Sequence, residues 1–212
     1  RSRRQRQMCI RDSPKGLIAA ALANMGERFG FYIMMAILTL FISAKFGLSE
    51  TTTGYIYSAF YASIYILALA GGVIADKTKN FKGTILVGLI LMAVGYLIIA
   101  IPTPTPVPSM ALYLGLTCFG LLVIAFGNGL FKGNLQAIVG QLYDDFEAEA
   151  AKQGPEALKI AKSKRDSGFQ IFYVFINVGG LIAPFIAPLL REWWLGCLLY
   201  TSPSPRDRQK SR

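Results

Sequence analysis

Two short stretches of this sequence set formal charge among apolar residues. "NMGERFGFYIMM" (24–35) carries Glu27 beside Arg28, and "GNGLFKGNLQ" (127–136) carries Lys132. A charged group at the middle of a bilayer costs about 2.5–3.5 kcal/mol on insertion scales, so such residues turn toward a bundle interior or a water-filled path. At helical spacing Asn24, Arg28, Tyr32 and Met35 fall near one face, with Glu27 and Phe31 beside them. The result is a polar stripe turned inward, with an aromatic hydroxyl one turn from a guanidinium. Two uses fit it: a path for a substrate or ion, or a buried pair that fixes packing. Gly26 with Gly30, and Gly129 with Gly133, form GxxxG spacings that serve close helix packing equally well.

Other chemistry finds little support. There is no histidine, and Cys118 stands alone in an apolar span, so neither a metal cluster nor a Cys-His pair is readable. "GNG" and "VGG" lie inside apolar runs with no preceding strand, which argues against a dinucleotide loop. No general base accompanies the Ser and Asp residues in a recognisable pattern. The sequence does not read as an enzyme, and no cofactor is expected.

The elements that must position these charges are set by composition. Of the 212 residues, 53% are hydrophobic and 16% charged, with mean hydropathy +0.44, too apolar for an ordinary soluble domain. Long apolar segments run near 16–44, 53–75, 83–101, 109–143 and 168–190. A helix needs about 20 residues to cross a hydrocarbon layer about 30 Å thick, so five transmembrane helices are expected. The first and fourth exceed one bilayer thickness and should tilt or run on into water. Lys15, then Lys77, Lys79 and Lys82, then the cluster Lys152 to Arg165 alternate with connections that hold only Lys45. By the positive-inside rule the N-terminus is cytoplasmic. The polar connection 144–167 reads as a short cytoplasmic amphipathic helix, clearest in "PEALKIAKSK".

The two ends differ from this pattern. Residues 1–13 ("RSRRQRQMCIRDS") and 197–212 ("CLLYTSPSPRDRQKSR") are polar and basic. Read back into codons, MCIRDS and CLLYTS are encoded by complementary DNA, as translated sequencing-library adapters would be. The expectation is that residues 14–196 carry the protein, as a fragment open at both ends. Setting aside the nine basic and two acidic residues of those ends reduces the net charge from +10 to +3, so the basic balance does not imply a nucleic-acid partner.

Four motifs in order then carry a resemblance. "GERFGFY" resembles the ExxERFxxY motif on the first helix of the proton-dependent oligopeptide transporters, a family of the major facilitator superfamily. "GGVIADKTKNFKGTILVG" resembles the superfamily's GxxxD-[RK] loop between helices 2 and 3. "GNGLFKGNLQAIVGQLYDD" resembles the GxGxxKPN helix 4, and "KRDSGFQIFYVFINVGGLIAP" resembles the signature opening helix 5. The likeness covers nearly all of residues 15–190.

The resemblance implies an all-α, polytopic membrane protein: about five helices of the N-terminal half of a major facilitator-type bundle of two six-helix halves. It implies import of di- and tripeptides by proton symport and alternating access across the plasma or inner membrane, the proton serving as coupling ion. Arg28, Tyr32, Tyr65, Lys132 and Asn177 fall where the family lines its cavity. There Arg would fork onto a carboxylate and Lys supply a point charge. Glu27 would pair with Arg28 or Lys132, and its protonation would free the base for substrate. Asp76 and Lys77 would belong to a cytoplasmic gate, or be a charged loop that fixes topology. Three positions and one connection depart from the pattern or its usual form. Asn24 stands where the motif has its first Glu and cannot titrate, Met35 replaces a second cavity Arg, Gly133 replaces the helix 4 Pro, and the helix 4–5 connection is longer. The alternatives are a proton-independent facilitator, a carrier of another small solute on this fold, and a non-transporting receptor or assembly subunit.

Overall fold

The structure, a computed structural model, describes residues 16–102 and 107–199, with side chains through residue 190. The expected adapter-derived segments 1–13 and 197–212 lie outside the described residues, except that 197–199 continue a helix backbone.

Five helices follow one another: α1 (Leu17–Phe46), α2 (Glu50–Thr78), α3 (Phe81–Ala100), α4 (Met110–Gln153) and α5 (Pro155–Leu199). Local signals set their ends. Gly47 closes α1 at φ 65°, its N–H donating to Ser43 O at 2.8 Å, a left-handed stop that glycine adopts without steric cost. Ser49 Oγ accepts from Thr52 N at 3.2 Å and Asn80 Oδ1 from Gly83 N at 3.0 Å, capping α2 and α3. Each helix is long and apolar enough to cross a membrane, and the chain is a multi-pass membrane protein.

One expectation is corrected. Residues 144–167 are not a separate amphipathic helix but the polar ends of α4 and α5. Nothing in "DDFEAEAAKQ" or "PEALKIAKSKRD" stops a helix, since Ala, Glu, Lys and Gln all favour one. The only break is Gly154-Pro155. Gly154 sits at φ 122°, ψ 171°, a region essentially reserved for glycine, and Pro155 opens α5 at the first helical position, where its missing N–H costs nothing. The 44-residue α4 is therefore about 66 Å long, twice the hydrocarbon thickness. Arg165 of α5 clasps Asp144 and Glu147 of α4 at 2.7 and 3.5 Å, and Lys164 lies over the Phe146 ring.

The helices run antiparallel in sequence order. Lys45 Nζ donates to Ile99 O and Ile101 O at 3.4 Å, tying the end of α1 to the end of α3. At the other end Gly16 abuts Leu142 of α4. α4 packs broadly on α3 and α2, and α1 on α5, with α4 also meeting α5.

Glycine decides how close α4 comes. A Cβ on Gly127 would lie 2.6 Å from Gly88 O and 2.8 Å from Met92 N of α3; one on Gly129 would lie 2.6 Å from Leu67 O of α2. These are the small-residue contacts that let membrane helices approach. Gly26, Gly30 and Gly133 by contrast face open space. Of the two GxxxG pairs, only Gly129 mediates packing within the described residues. Gly127→Ala is expected to destabilise the protein by about 1–3 kcal/mol through overpacking, whereas exposed Gly115→Ala should be neutral or stabilising by up to about 1 kcal/mol. Thermal unfolding in detergent compares the two.

Two apolar clusters result. One joins Phe31 to Phe46 of α1 with Phe60 and Ile64 of α2 and Leu121 to Ala125 of α4. The other joins Leu17 to Ala21 of α1 with Met92 of α3, Phe131 to Tyr143 of α4 and Phe172 of α5. Between them, on both α1 and α4, lies a thin polar layer.

Candidate functional site

That layer holds the charged residues noted in the sequence. Glu27 and Arg28 are neighbours on α1, with side chains only 5% and 7% exposed. Arg28 Nε donates to Glu27 Oε2 at 2.6 Å and Arg28 Nη2 to Oε1 at 3.1 Å, a forked charge-assisted pair of the kind guanidinium geometry favours. A third donor arrives from α4, where Asn128 Nδ2 reaches Glu27 Oε1 at 2.6 Å. Asn128 is fully buried, and its Nδ2 also lies 3.8 Å from Met92 Sδ. Its Oδ1 has no hydrogen-bond partner among the described residues. Arg28 stacks over the Phe31 ring at 5.3 Å.

Lys132 stands one turn beyond Asn128 on α4, half-buried, and forms no ion pair among the described residues. Its Nζ sits 5.1 Å from the centre of the Tyr65 ring, a cation–π contact that needs no counter-ion. Tyr65 and Tyr61 share a hydroxyl contact of 3.0 Å, and Tyr57 stacks on Tyr61. Three tyrosines at intervals of four thus line one face of α2 and lead to Lys132. Glu27, Arg28 and Lys132 lie within electrostatic reach of one another.

A third part lies between α1 and α5. Tyr32 and Asn177 line an open groove of about 540 Å³ with Val174, Gly180 and Leu181. Tyr32 rests on Gly180, where a Cβ would meet its ring at 3.1 Å.

Of the expected site residues, Glu27, Arg28 and Lys132 therefore converge; Tyr65 joins them through Lys132; Tyr32 and Asn177 share the adjoining groove. The expected inward stripe divides. Asn24, Arg28 and Met35 are buried, while Tyr32 is 41% exposed toward the groove. Glu27 takes Arg28, not Lys132, as its ion-pair partner. Asp76 and Lys77 stand exposed in the last turn of α2, about 16 Å of helix from Tyr65, and take no part in the cluster. Sequence reasoning missed Asn128, Tyr61 and Tyr57. The available signals were an asparagine one turn before Lys132 in an apolar span, and the recurrence of tyrosine at every fourth residue.

What this arrangement can do chemically is narrow and definite. A carboxylate able to take a proton is held by a guanidinium, next to an ammonium without a counter-ion. A proton on this acid would cancel the charge that holds the guanidinium, leaving two cations close together in the buried layer, while the Tyr32–Asn177 groove is lined by neither of them.

A family model described as the POT family matches residues 82–201. Dipeptide and tripeptide permease B of Xenorhabdus bovienii is 32% identical over 181 residues, covering 85% of this chain and 32% of that protein. The peptide transporter YePEPT of Yersinia enterocolitica is 34% identical over 189 residues, covering 86% and 32%. An uncharacterized transporter of Bacillus subtilis, YclF, is 32% identical over 184 residues, covering 84% and 32%. The chain spans about a third of the length of these curated relatives.

Proposed function

Because this chain belongs to the POT family, we propose that it supplies helices 1–5 of a secondary transporter that imports di- and tripeptides by proton symport through alternating access. The observation that carries the reading is the Glu27–Arg28 pair set beside Lys132 in the polar layer between two apolar clusters. In the loaded state Arg28 and Lys132 hold the peptide's carboxylate, while Tyr32, Tyr65 and Asn177 meet its backbone and amino end. The proton enters at Glu27. A protonated Glu27 no longer neutralises Arg28, so proton and peptide carboxylate act on the same cation and favour the same state. The protein lies in the cell membrane with its N-terminus in the cytoplasm, as the placement of its basic residues supports.

A second reading is favoured by one residue. Asn24 is buried one turn before Arg28 where the family motif has an acid, and an amide does not titrate. Facilitated peptide diffusion without proton coupling is the function that would follow.

Uptake of labelled dialanine by the full-length protein in liposomes, with and without an inward pH gradient, separates these readings. Acceleration by the gradient is the expected result. Uptake indifferent to the gradient selects the facilitator, and no uptake in a folded sample overturns the peptide reading.

A further inference from the structure

Protonation of Glu27 creates a problem that Arg28 and Lys132 cannot solve. A carboxylate accepts hydrogen bonds only, whereas a carboxylic acid carries an O–H that must donate. Arginine and lysine have no acceptor to offer. In a layer enclosed by apolar clusters, a neutral Glu27 without an acceptor leaves a buried O–H unsatisfied.

Among the described residues, the one side chain hydrogen-bonded to Glu27 that can also accept is Asn128. Its amide nitrogen donates to Glu27 at 2.6 Å, while its oxygen is buried with no partner among the described residues. An amide exchanges these two atoms by half a turn about its terminal bond. Met92 Sδ, 3.8 Å from Nδ2, is a weak, polarisable acceptor that imposes little preference on the amide's orientation. Either way exactly one atom of the amide stays unpartnered, so the exchange costs little on Asn128 itself.

We propose that Asn128 is the positioning residue that reads the protonation state of Glu27: its amide donates to the carboxylate, and after flipping accepts from the carboxylic acid. The proton forms an O–H bond on Glu27 and the Arg28 fork opens. The Asn128 oxygen then takes the place of its nitrogen, with no covalent bond broken elsewhere. The titratable and charged groups acting on Glu27 among the described residues are Arg28 of α1, Tyr96 of α3 and Lys132 of α4. Tyr61 and Tyr65 of α2 stand one step further, against Lys132. Among the described residues Asn128 alone combines a hydrogen bond to Glu27 with the capacity to donate or accept without changing charge. In this way a single acid at position 27 can be cycled although position 24 holds an amide.

The inference rests on the proton-symport reading, and its test separates the two. In liposomes, gradient-driven dialanine accumulation and its pH profile are measured for full-length wild type, Asn128→Leu and Asn128→Ser. Leucine matches asparagine in size but neither donates nor accepts. It is expected to lower accumulation by about tenfold or more, the factor carried by a lost hydrogen bond to a charged group, and to displace the pH profile. Serine keeps a donor and an acceptor in one hydroxyl and should restore most of it. An Asn128→Leu protein with the wild-type profile overturns the role of Asn128 while wild-type coupling stands. A wild type indifferent to the gradient overturns the coupling reading and this inference with it. Should Asn128→Leu fail to fold, infrared difference spectra decide. The carboxylic C=O band that disappears in Glu27→Gln must shift in Asn128→Ser, and an unshifted band overturns the inference.

Discussion

Lys132→Ala in the full-length protein is expected to reduce gradient-driven dipeptide uptake by about 100-fold, equivalent to about 2.7 kcal/mol of lost stabilisation. The size follows from isolation. Lys132 forms no ion pair among the described residues, and the ring of Tyr65 is the contact that steadies it. A cation within a membrane span and without a counter-ion is retained against an insertion cost of up to about 2.5–3.5 kcal/mol, and in the proposed function a substrate anion is what offsets that cost. The same isolation makes the substitution gentle on the fold, because alanine there leaves no opposite charge stranded. The thermal midpoint in detergent should therefore hold while uptake collapses. Lys132→Arg keeps the charge but replaces a compact ammonium with a wide planar fork, so partial activity is expected. Alanine-substituted protein that accumulates dialanine at the wild-type rate would remove Lys132 from the binding site.

Glu27→Leu carries the second large effect, and it falls on stability. Removing one member of a buried ion pair typically costs about 3–5 kcal/mol, because the other charge is left uncompensated. Here Arg28 would remain with a 7% exposed side chain, beside the like charge of Lys132. Replacing both members with apolar residues of similar volume is often neutral or stabilising. Glu27→Leu with Arg28→Met is therefore expected to recover most of the thermal midpoint lost in Glu27→Leu alone. That double variant should fold and fail to transport, since the cycle isolates the coupling between the pair from its service to substrate. A double variant no more stable than the single would mean that the carboxylate is held by something other than Arg28.

How much of this could be read from residues alone differs by feature. The all-α class and the five spans were legible, because a run of about 20 apolar residues leaves the backbone no partner in hydrocarbon except its own helix. The polarity of the Glu27 and Lys132 stretches was legible for the same reason: charge in such a run stands out against its cost. The boundary between α4 and α5 was read wrongly. Hydropathy marks where a helix leaves the bilayer, not where it ends, and only Gly154-Pro155 stops it.

The site itself needed the tertiary structure. Adjacent residues on a helix point about 100° apart, so nothing in the spacing of Glu27 and Arg28 says that the guanidinium folds back onto the carboxylate. Asn128 lies 101 positions from Glu27, and a contact at that separation exists only once the helices are packed. Glycine spacing suggests close approach without naming the partner. Gly26 and Gly30 carry the expected motif and face open space among the described residues, while Gly88 and Gly127, which no such motif pairs, bring two backbones together. The sequence by itself thus determined which side chains must be hidden from lipid, because that is a property of each residue and its solvent. Only the packing decided which hidden side chain meets which, because that depends on distances between helices that no single segment contains.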